Sequence, residues 1–205
     1  MVLEFHSNLF SSPHTCQPVV ALDSIQSIVT ANMNRQLSSD FLESEVQVAF
    51  SQMAPLKARG LDGMPPLFYQ HYWNLVSKDI THSVLSFLNS ASLPEHLNHT
   101  FITLIPKVKN LELVSKFQSI KLCNVLYKIF SKVLANRLKK ILPHIIIEHQ
   151  SAFTKDRLIS DNILIAFKSL HCMKNHNSIK DGFMTLKLNM SKVYDRVEWS
   201  FLRPS

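Results

Sequence analysis

The stretch Asn124-Val-Leu-Tyr-Lys-Ile-Phe-Ser-Lys-Val-Leu-Ala-Asn-Arg-Leu-Lys-Lys-Ile-Leu142 says most about the fold. Its apolar residues recur at intervals of three and four, which is the spacing of one helix face. Pro143 predicts the end of this helix, because proline lacks a backbone N–H and its ring clashes with the preceding turn. The predicted apolar stripe is Leu126, Ile129, Phe130, Val133, Leu134, Leu138 and Ile141. Four lysines lie largely off the stripe, at Lys128, Lys132, Lys139 and Lys140.

Helices are also predicted on the N-terminal side of this stretch. The first has helical apolar spacing and ends at Pro55. Its apolar positions are Val46, Ala49, Phe50 and Met53. The second follows Pro65-Pro66 and carries Ile80, Val84, Phe87 and Leu88 on one face. Residues 1–38 have no sustained period, so we expect a loosely structured segment there and a folded domain over 39–205.

Strands are predicted at two places, which makes the fold class α+β. Residues 100–105 form a β-rich run closed by Pro106. Near the C-terminus Met184, Leu186 and Leu188 alternate with Thr185, Lys187 and Asn189, as in a strand with one apolar face. Between the strands, Ser160 or Asp161 can cap a further helix. The predicted inner side of that helix is Ile163, Leu164, Phe167, Leu170 and His171.

The composition is that of a protein with a real core. Of 205 residues, 46% are hydrophobic and 18% are charged, which argues against wholesale disorder. The three cysteines, Cys16, Cys123 and Cys172, are scattered and odd in number, which favours a reducing intracellular compartment over a disulfide framework. We find no signal peptide, and no apolar run approaches the roughly 20 residues of a membrane helix. We therefore expect an intracellular protein that is not secreted and has no transmembrane segment.

The positive charge is concentrated in one part of the chain. Residues 101–157 hold 11 Lys and Arg against 3 acids, a net charge of +8, whereas the remainder carries −1. Such a block suits a polyanion, and RNA or DNA bound without sequence preference is the predicted partner. A merely solvated basic surface remains the alternative. No specific protein partner is predicted.

Several blocks, taken together and in order, resemble the reverse transcriptase domain of LINE-type (non-LTR) retrotransposons, particularly those of plant genomes. The similarity runs from about Leu37 to Leu202. Its first blocks are Lys57-Ala-Arg-Gly-Leu-Asp-Gly63, Leu104-Ile-Pro-Lys107 and Phe117-Gln-Ser-Ile-Lys-Leu-Cys-Asn-Val-Leu-Tyr-Lys128. The later ones are Ser131-Lys-Val-Leu-Ala-Asn-Arg-Leu138, Gln150-Ser-Ala-Phe153, Arg157-Leu-Ile-Ser-Asp-Asn-Ile163 and Leu186-Lys-Leu-Asn-Met-Ser-Lys-Val-Tyr-Asp-Arg-Val-Glu-Trp199.

The resemblance implies a partial right-hand polymerase fold, with helix-rich fingers followed by the first palm strand. Such enzymes use two Mg²⁺ ions held by carboxylates. Asn189 stands where the family has its first metal-binding Asp, and the family's downstream Asp-Asp hairpin is expected to be missing, because the chain ends at Ser205. A neutral amide offers one oxygen and no charge, so we expect neither productive metal binding nor catalysis.

Other positions either match the family or depart from it. Gln118-Ser119 replaces the family's Arg-Pro, Lys155-Asp156 replaces Pro-Gly, and Arg59 replaces Pro. The resemblance assigns Tyr194 to the aromatic that screens the sugar 2′ position, and it assigns Lys57, Lys107 and Arg157 to nucleotide-facing basic positions of the fingers. Lys187 and Lys192 flank the strand end and are expected to face nucleic acid, as are the four lysines of the central helix.

Each candidate residue also has an ordinary structural explanation. Asp195 is either a substitute metal ligand or a partner of Arg196, and Tyr194 is either a nucleotide gate or a packing residue. A metal pair at His96 and His99 competes with a plain surface loop, since nothing completes a zinc set. Asp62 is either catalytic or, more commonly for its type, a turn residue.

Three functions remain open at this point. The chain is an inactive reverse transcriptase fragment, a polymerase that needs a hairpin from another chain, or a non-catalytic nucleic-acid-binding module that uses the basic region 101–157.

Overall fold

A computed structural model describes residues 2–11, 27–109, 113–151, 154, 156–175, 184–188 and 197. The chain divides into two compact units, one over Val29–Ile146 and one formed by Met1–Ile28 with Ile147–Ser205. The described helices are α1 Val2–Phe10, α2 Ala31–Ser38, α3 Glu43–Ser51, α4 Pro66–His71, α5 Trp73–Ser90, α6 Val125–Ile145 and α7 Ile159–Asn175. The strands β1 Phe101–Pro106 and β2 Phe117–Leu122 accompany a short 3₁₀ turn, Val114–Lys116. The α+β prediction is confirmed.

The core of the unit Val29–Ile146 lies between α3, α5 and α6. The Phe50 ring of α3 stacks on Trp73 of α5 with ring centres 4.0 Å apart. Phe87 of α5 and Phe130 of α6 lie 4.5 Å apart. The buried core is Val46, Ala49, Phe50, Met53, Ile80, Val84, Leu88, Val125, Ile129, Phe130 and Val133. The apolar spacing of the three helices therefore predicted most of this core, although Val125 was not on the predicted stripe of α6.

The sheet is an antiparallel hairpin. The register pairs Phe101 with Leu122 at one end and Pro106 with Phe117 at the other. The predicted strand at 100–105 is confirmed within one residue as β1. The sequence did not predict β2, because Gln118, Ser119 and Lys121 give it too few of the β-branched and aromatic residues that mark strands.

Helix α6 departs from its predicted end. Pro143 lies inside the helix, which continues to Ile145, so the prediction that this proline stops the helix is wrong. Proline in the last turn removes one N–H, the partner expected for the Lys139 carbonyl, and leaves the following residues free to close the turn. The N–H of Ile146 donates to the Leu142 carbonyl at 3.0 Å, and this bond completes the last turn of the helix.

The helix after Pro65-Pro66 is interrupted. The structure divides it into α4 and α5 at Tyr72, whose φ and ψ of −99° and 20° are not helical. Ile80, Val84 and Leu88 of α5 are buried as predicted. At the other end Ala91 takes a left-handed φ of 53° and terminates the helix well before Pro94.

The unit that contains α7 contradicts two predictions. Helix α7 forms, but none of its residues, all of which the structure describes, is buried. The predicted inner side is therefore exposed, for example at Ile163 and Phe167. Residues 184–188 form no strand, and their side chains are exposed. A strand needs a hydrogen-bonded neighbour, and the described residues include none beside 184–188. The turn predicted at Asp181-Gly182 lies outside the described residues.

The first 38 residues contain more helix than their sequence indicates. Helices α1 and α2 have nine and eight residues, and neither has a buried side chain. Thr30 caps α2, because its hydroxyl oxygen accepts the N–H of Met33 at 3.2 Å. These short helices lack the long apolar stripe from which periodicity is recognised. The proposed domain boundary after residue 38 stays a prediction.

Candidate nucleic-acid interface

The loop 57–63 is fixed against the start of α6. A Cβ atom at Gly60 would lie 2.6 Å from both the backbone N and the Cα of Asn124, so this position requires glycine. The Oδ1 atom of Asn124 accepts the N–H of Asp62 at 3.5 Å. The loop is thus held on the N-terminal turn of α6 by close backbone packing.

Asp62 acts as a turn residue in this loop. Its Oδ1 atom accepts the N–H of Met64 at 3.2 Å, as in a side-chain-stabilised turn. Its Oδ2 atom accepts the hydroxyl of Tyr69 at 3.4 Å. Burial raises the pKa of the Tyr69 hydroxyl, and the nearby Asp62 carboxylate raises it further. Asp62 therefore joins the loop to α4.

Lys128 joins the same loop to α6. Its Nζ atom donates a short hydrogen bond to the Ala58 carbonyl. Burial is the main cause that lowers the pKa of Lys128, and the Lys57 ammonium lowers it further. Two sequence-predicted cations, Lys57 and Lys128, are therefore brought together by the loop.

The four lysines of α6 do not all lie on the same face of the helix. Lys128, Lys132 and Lys139 recur at spacings of four and seven, so they share one face of the helix. Lys140 lies one residue farther round, where its charge contributes to lowering the pKa of Glu45. The sequence grouped Lys139 with Lys140, whereas the structure places Lys140 beside an acidic partner.

The β1–β2 hairpin carries another basic group at its turn. The N–H of Lys107 donates to the carbonyl of Lys116 at 3.1 Å, which continues the ladder beyond Pro106 and Phe117. Lys109 follows in the exposed turn. Lys107, matched by resemblance to the fingers, thus has two lysine neighbours on the connection between the strands.

Arg137 is a structural residue that the sequence prediction missed. It is 5% exposed, and all five of its N–H donors have acceptors. Nε and one Nη donate to the two carboxylate oxygens of Glu45, each at 2.8 Å. The other donors reach the carbonyls of Leu37, Ser39 and Asp40. One side chain of α6 therefore fastens the segment between α2 and α3.

The surroundings of Arg137 strengthen this connection. Its guanidinium lies 3.5 Å from the centre of the Phe41 ring. Glu45 also accepts the N–H of Leu42 at 3.0 Å, which covers the start of α3. The hydrogen bonds from Arg137 are the main cause that holds the pKa of Glu45 below its ordinary value. A cleft beside this pair is lined by Arg137 and Lys140, but the Arg137 donors are already used.

Leu134 and Leu138 are exposed although the sequence predicted them on the apolar stripe. The buried line of α6 instead runs through Ile129, Val133, Arg137 and Ile141, at constant spacing of four. The spacing of four could have indicated that Arg137 is buried, since Val133 before it and Ile141 after it on the same face are apolar.

Arg157 belongs to the other unit and has a local role. One of its Nη atoms donates to the carbonyls of Ile147 and Gln150, at 2.6 and 2.8 Å. These bonds fold the segment that follows α6. Lys187 is exposed. Asn189, Lys192 and Tyr194, together with Asp195 and Arg196, lie outside the described residues.

The described residues do not fit a metal centre. Nowhere in the described part of the chain do three or more His, Cys, Asp or Glu residues lie together in a group that could hold an ion. The rings of His96 and His99 are 4.7 Å apart, and Glu95 lies 3.4 Å from His96, in an exposed loop. Asn189, which the resemblance aligns with a metal-binding Asp, lies outside the described residues and would offer a metal ion only an amide oxygen.

Helices long and apolar enough to cross a membrane are absent from the part of the chain that the structure describes.

Comparison with known proteins gives one informative similarity. The chain matches no family model. It is 28% identical over 202 residues to the transposon TX1 uncharacterized 149 kDa protein of Xenopus laevis. The match covers 97% of this chain and 15% of that protein, so the chain spans a small part of its relative's length. The chain is therefore similar, along nearly its whole length, to one part of a transposon protein.

Proposed function

We propose that this chain is a reverse transcriptase fragment of retrotransposon origin that binds nucleic acid and does not polymerise it. The observation that carries the proposal is the similarity to a transposon protein over 97% of the chain. The ordered blocks described above supply the finer assignment to the reverse transcriptase domain. The match covers 15% of that much longer protein. Activity of a complete polymerase is therefore not assigned to these residues.

The distribution of charge supports binding to a polyanion. The unit Val29–Ile146 contains 13 Lys and Arg against 7 Asp and Glu. Three of the acids, Asp40, Glu43 and Glu45, lie at or just before the start of α3. Most of the cations instead lie on the loop 57–63, in the connection between the two strands or on α6. Clustered Lys and Arg attract phosphates and release the counterions condensed on the nucleic acid, which supplies affinity without sequence preference.

The absence of polymerisation follows from Asn189. Two-metal transfer requires carboxylates that offset the charge of the two cations and fix their positions. An amide at the first ligand position removes one negative charge and one oxygen. We therefore propose that nucleic acid binds without Mg²⁺, through contacts between its phosphates and the cations of this unit.

Salt titration tests the binding proposal. Replacing Lys132 and Lys139 with Ala should flatten the log–log salt dependence by about 1.4 to 1.8 units, since each phosphate contact contributes about 0.7 on single strands and 0.9 on duplex DNA. Affinity should fall equally for unrelated sequences, because phosphate contacts carry no sequence information. The readout is fluorescence anisotropy of labelled oligonucleotides at several salt concentrations.

Lys78 provides the matched control. It is an exposed lysine on α5, next to Asp79, and Lys78→Ala should leave the slope unchanged. An equal effect at Lys78 would mean that binding follows total charge rather than the α6 face. A slope that stays the same in the Lys132/Lys139 double variant would contradict the proposal for that face.

A further inference from the structure

An aromatic group lies on the surface of the unit Val29–Ile146 at α4. The rings of Phe68 and Tyr72 are 5.0 Å apart, and that of His71 lies 4.8 Å from Tyr72. Phe68 is 36% exposed and Tyr72 is 43% exposed. Neither belongs to the hydrophobic core or packs against it, whereas the adjacent Tyr69 and Trp73 do. Core packing thus explains Tyr69 and Trp73, but it does not explain the exposed ring faces of Phe68 and Tyr72.

The aromatic group rests on a fixed base. The N–H of Leu67 donates to the Pro55 carbonyl at 3.1 Å. The side-chain amide of Gln70 donates to the Met53 carbonyl at 2.9 Å. Tyr69, which meets Phe68 edge to face at 5.4 Å, holds the Asp62 carboxylate through its hydroxyl. The short helix is therefore held at both ends and in the middle, which limits the motion of the exposed rings.

The loop 57–63, which is bonded to α4 through Asp62 and Tyr69, carries positive charge. Pro55, bonded to the start of α4, precedes Lys57 by two residues. The Lys128 ammonium is bonded to the Ala58 carbonyl in the same loop and has further N–H groups to donate. Asp62, the carboxylate of the loop, is engaged by Tyr69 and by the N–H of Met64. Single-stranded nucleic acid is bound where exposed rings stack on its bases and cations hold its phosphates. Helix α4 supplies the rings, and the loop bonded to it supplies the cations.

We propose that Phe68 and Tyr72 form a stacking platform for the bases of single-stranded nucleic acid, with Lys57 and Lys128 contacting its phosphates. This inference rests on the proposed function and adds to it a site and a preference. Paired bases in a duplex are stacked on each other and do not offer a free face to these rings. The platform therefore binds single strands more tightly than duplexes.

The test compares two oligonucleotides with the same number of phosphates. One is a single-stranded oligothymidylate, and the other is its abasic counterpart, in which every base has been removed. The wild-type chain should bind the base-bearing strand about 5- to 150-fold more tightly, as expected for one stacked base. Phe68→Leu and Tyr72→Leu keep an apolar side chain and should each remove most of this advantage. Binding of the abasic strand should remain unchanged in both variants.

Phe101→Leu is the matched control. Phe101 is an exposed aromatic of the same unit, on β1, and its replacement should preserve the advantage of the base-bearing strand. Circular dichroism of each variant verifies that the helices persist. Equal, salt-dependent binding of both strands by the wild type would overturn the platform and leave the proposed function standing. Failure to bind either strand would overturn both, and loss of the advantage in Phe101→Leu would place the stacking elsewhere.

Discussion

Helices α6 and α7 have similar sequence patterns and different structures. Each has apolar residues at intervals of three and four, and each was predicted to have an inner side. α6 buries Val125, Ile129, Phe130, Val133, Arg137 and Ile141, whereas α7 buries none of its 17 residues. Periodicity is therefore enough to specify a helix, but burial also requires an apolar surface on another element. α3 and α5 supply that surface to α6.

The largest effect is expected at Arg137. Arg137→Ala leaves the Glu45 carboxylate and three carbonyls without their donors, which should lower the free energy of unfolding by about 3–5 kcal/mol. Urea unfolding followed by circular dichroism measures the change. Arg137→Lys should rescue it only in part, because an ammonium cannot match the five-donor fork. A cost below about 1 kcal/mol for Arg137→Ala would mean that water replaces the guanidinium bonds.

A matched pair of isoleucines compares the two helices directly. Ile129→Ala in α6 should cost about 2–5 kcal/mol, the usual range for a buried aliphatic truncation. Ile163→Ala in α7 removes a side chain that is 65% exposed and should change stability by no more than about 0.5 kcal/mol. Both values come from urea unfolding. Similar costs for the two variants would indicate that α7 buries its apolar side in solution.

Substitutions of Gly60 and Gly63 distinguish the cost of close packing from the cost of backbone strain. Gly60→Ala would bring a methyl group against the backbone of Asn124 at the start of α6, so we expect a cost of about 1–3 kcal/mol. Gly63 has a φ of 67° and open space around its Cβ position, so Gly63→Ala should cost about 1 kcal/mol from conformation alone. Thermal unfolding ranks them. A harmless Gly60→Ala would show that the loop 57–63 is not held on α6.

The smallest effect depends on pH. The pKa of Glu45 is lowered in the folded protein, mainly by the hydrogen bonds from Arg137. The stabilisation is therefore present above the unfolded pKa and is lost as pH falls through the folded pKa. Glu45→Gln should cost about 1 kcal/mol at neutral pH and nothing once Glu45 is protonated in the wild type. A cost that does not change with pH would assign the effect to packing rather than charge.

The core helices, the first strand and the α+β class were predictable because their signals are local. The partners of Arg137 were not predictable, since its acceptors lie 92 to 100 residues away in sequence and a charged residue is normally expected at the surface. The strand expected over Met184, Leu186 and Leu188 failed for a related reason. Alternating apolar and polar residues make a segment suitable for a strand. The segment becomes a strand only when a neighbouring strand forms hydrogen bonds with it.

Only part of the candidate site could likewise be predicted from the sequence. The sequence predicted that the lysines of α6 lie largely off its apolar stripe. The closeness of Lys57 to Lys128 depends on the loop contact with Ala58. Lys140 of α6 and Glu45 of α3 line the same cleft. No local pattern contains those contacts. The exposure of Phe68 and Tyr72 was likewise invisible in a sequence where aromatic residues at helical spacing usually pack inward.

One measurement tests the central claim, that this chain binds nucleic acid and does not extend it. The purified protein is incubated with a labelled primer–template, all four deoxynucleotides and either Mg²⁺, Mn²⁺ or EDTA, and both bound and extended primer are quantified. We predict binding that survives EDTA and no extension with either metal, because our proposal places Asn189 where the resembled family has a metal-binding carboxylate. Metal-dependent extension that Asn189→Ala abolishes would contradict the account.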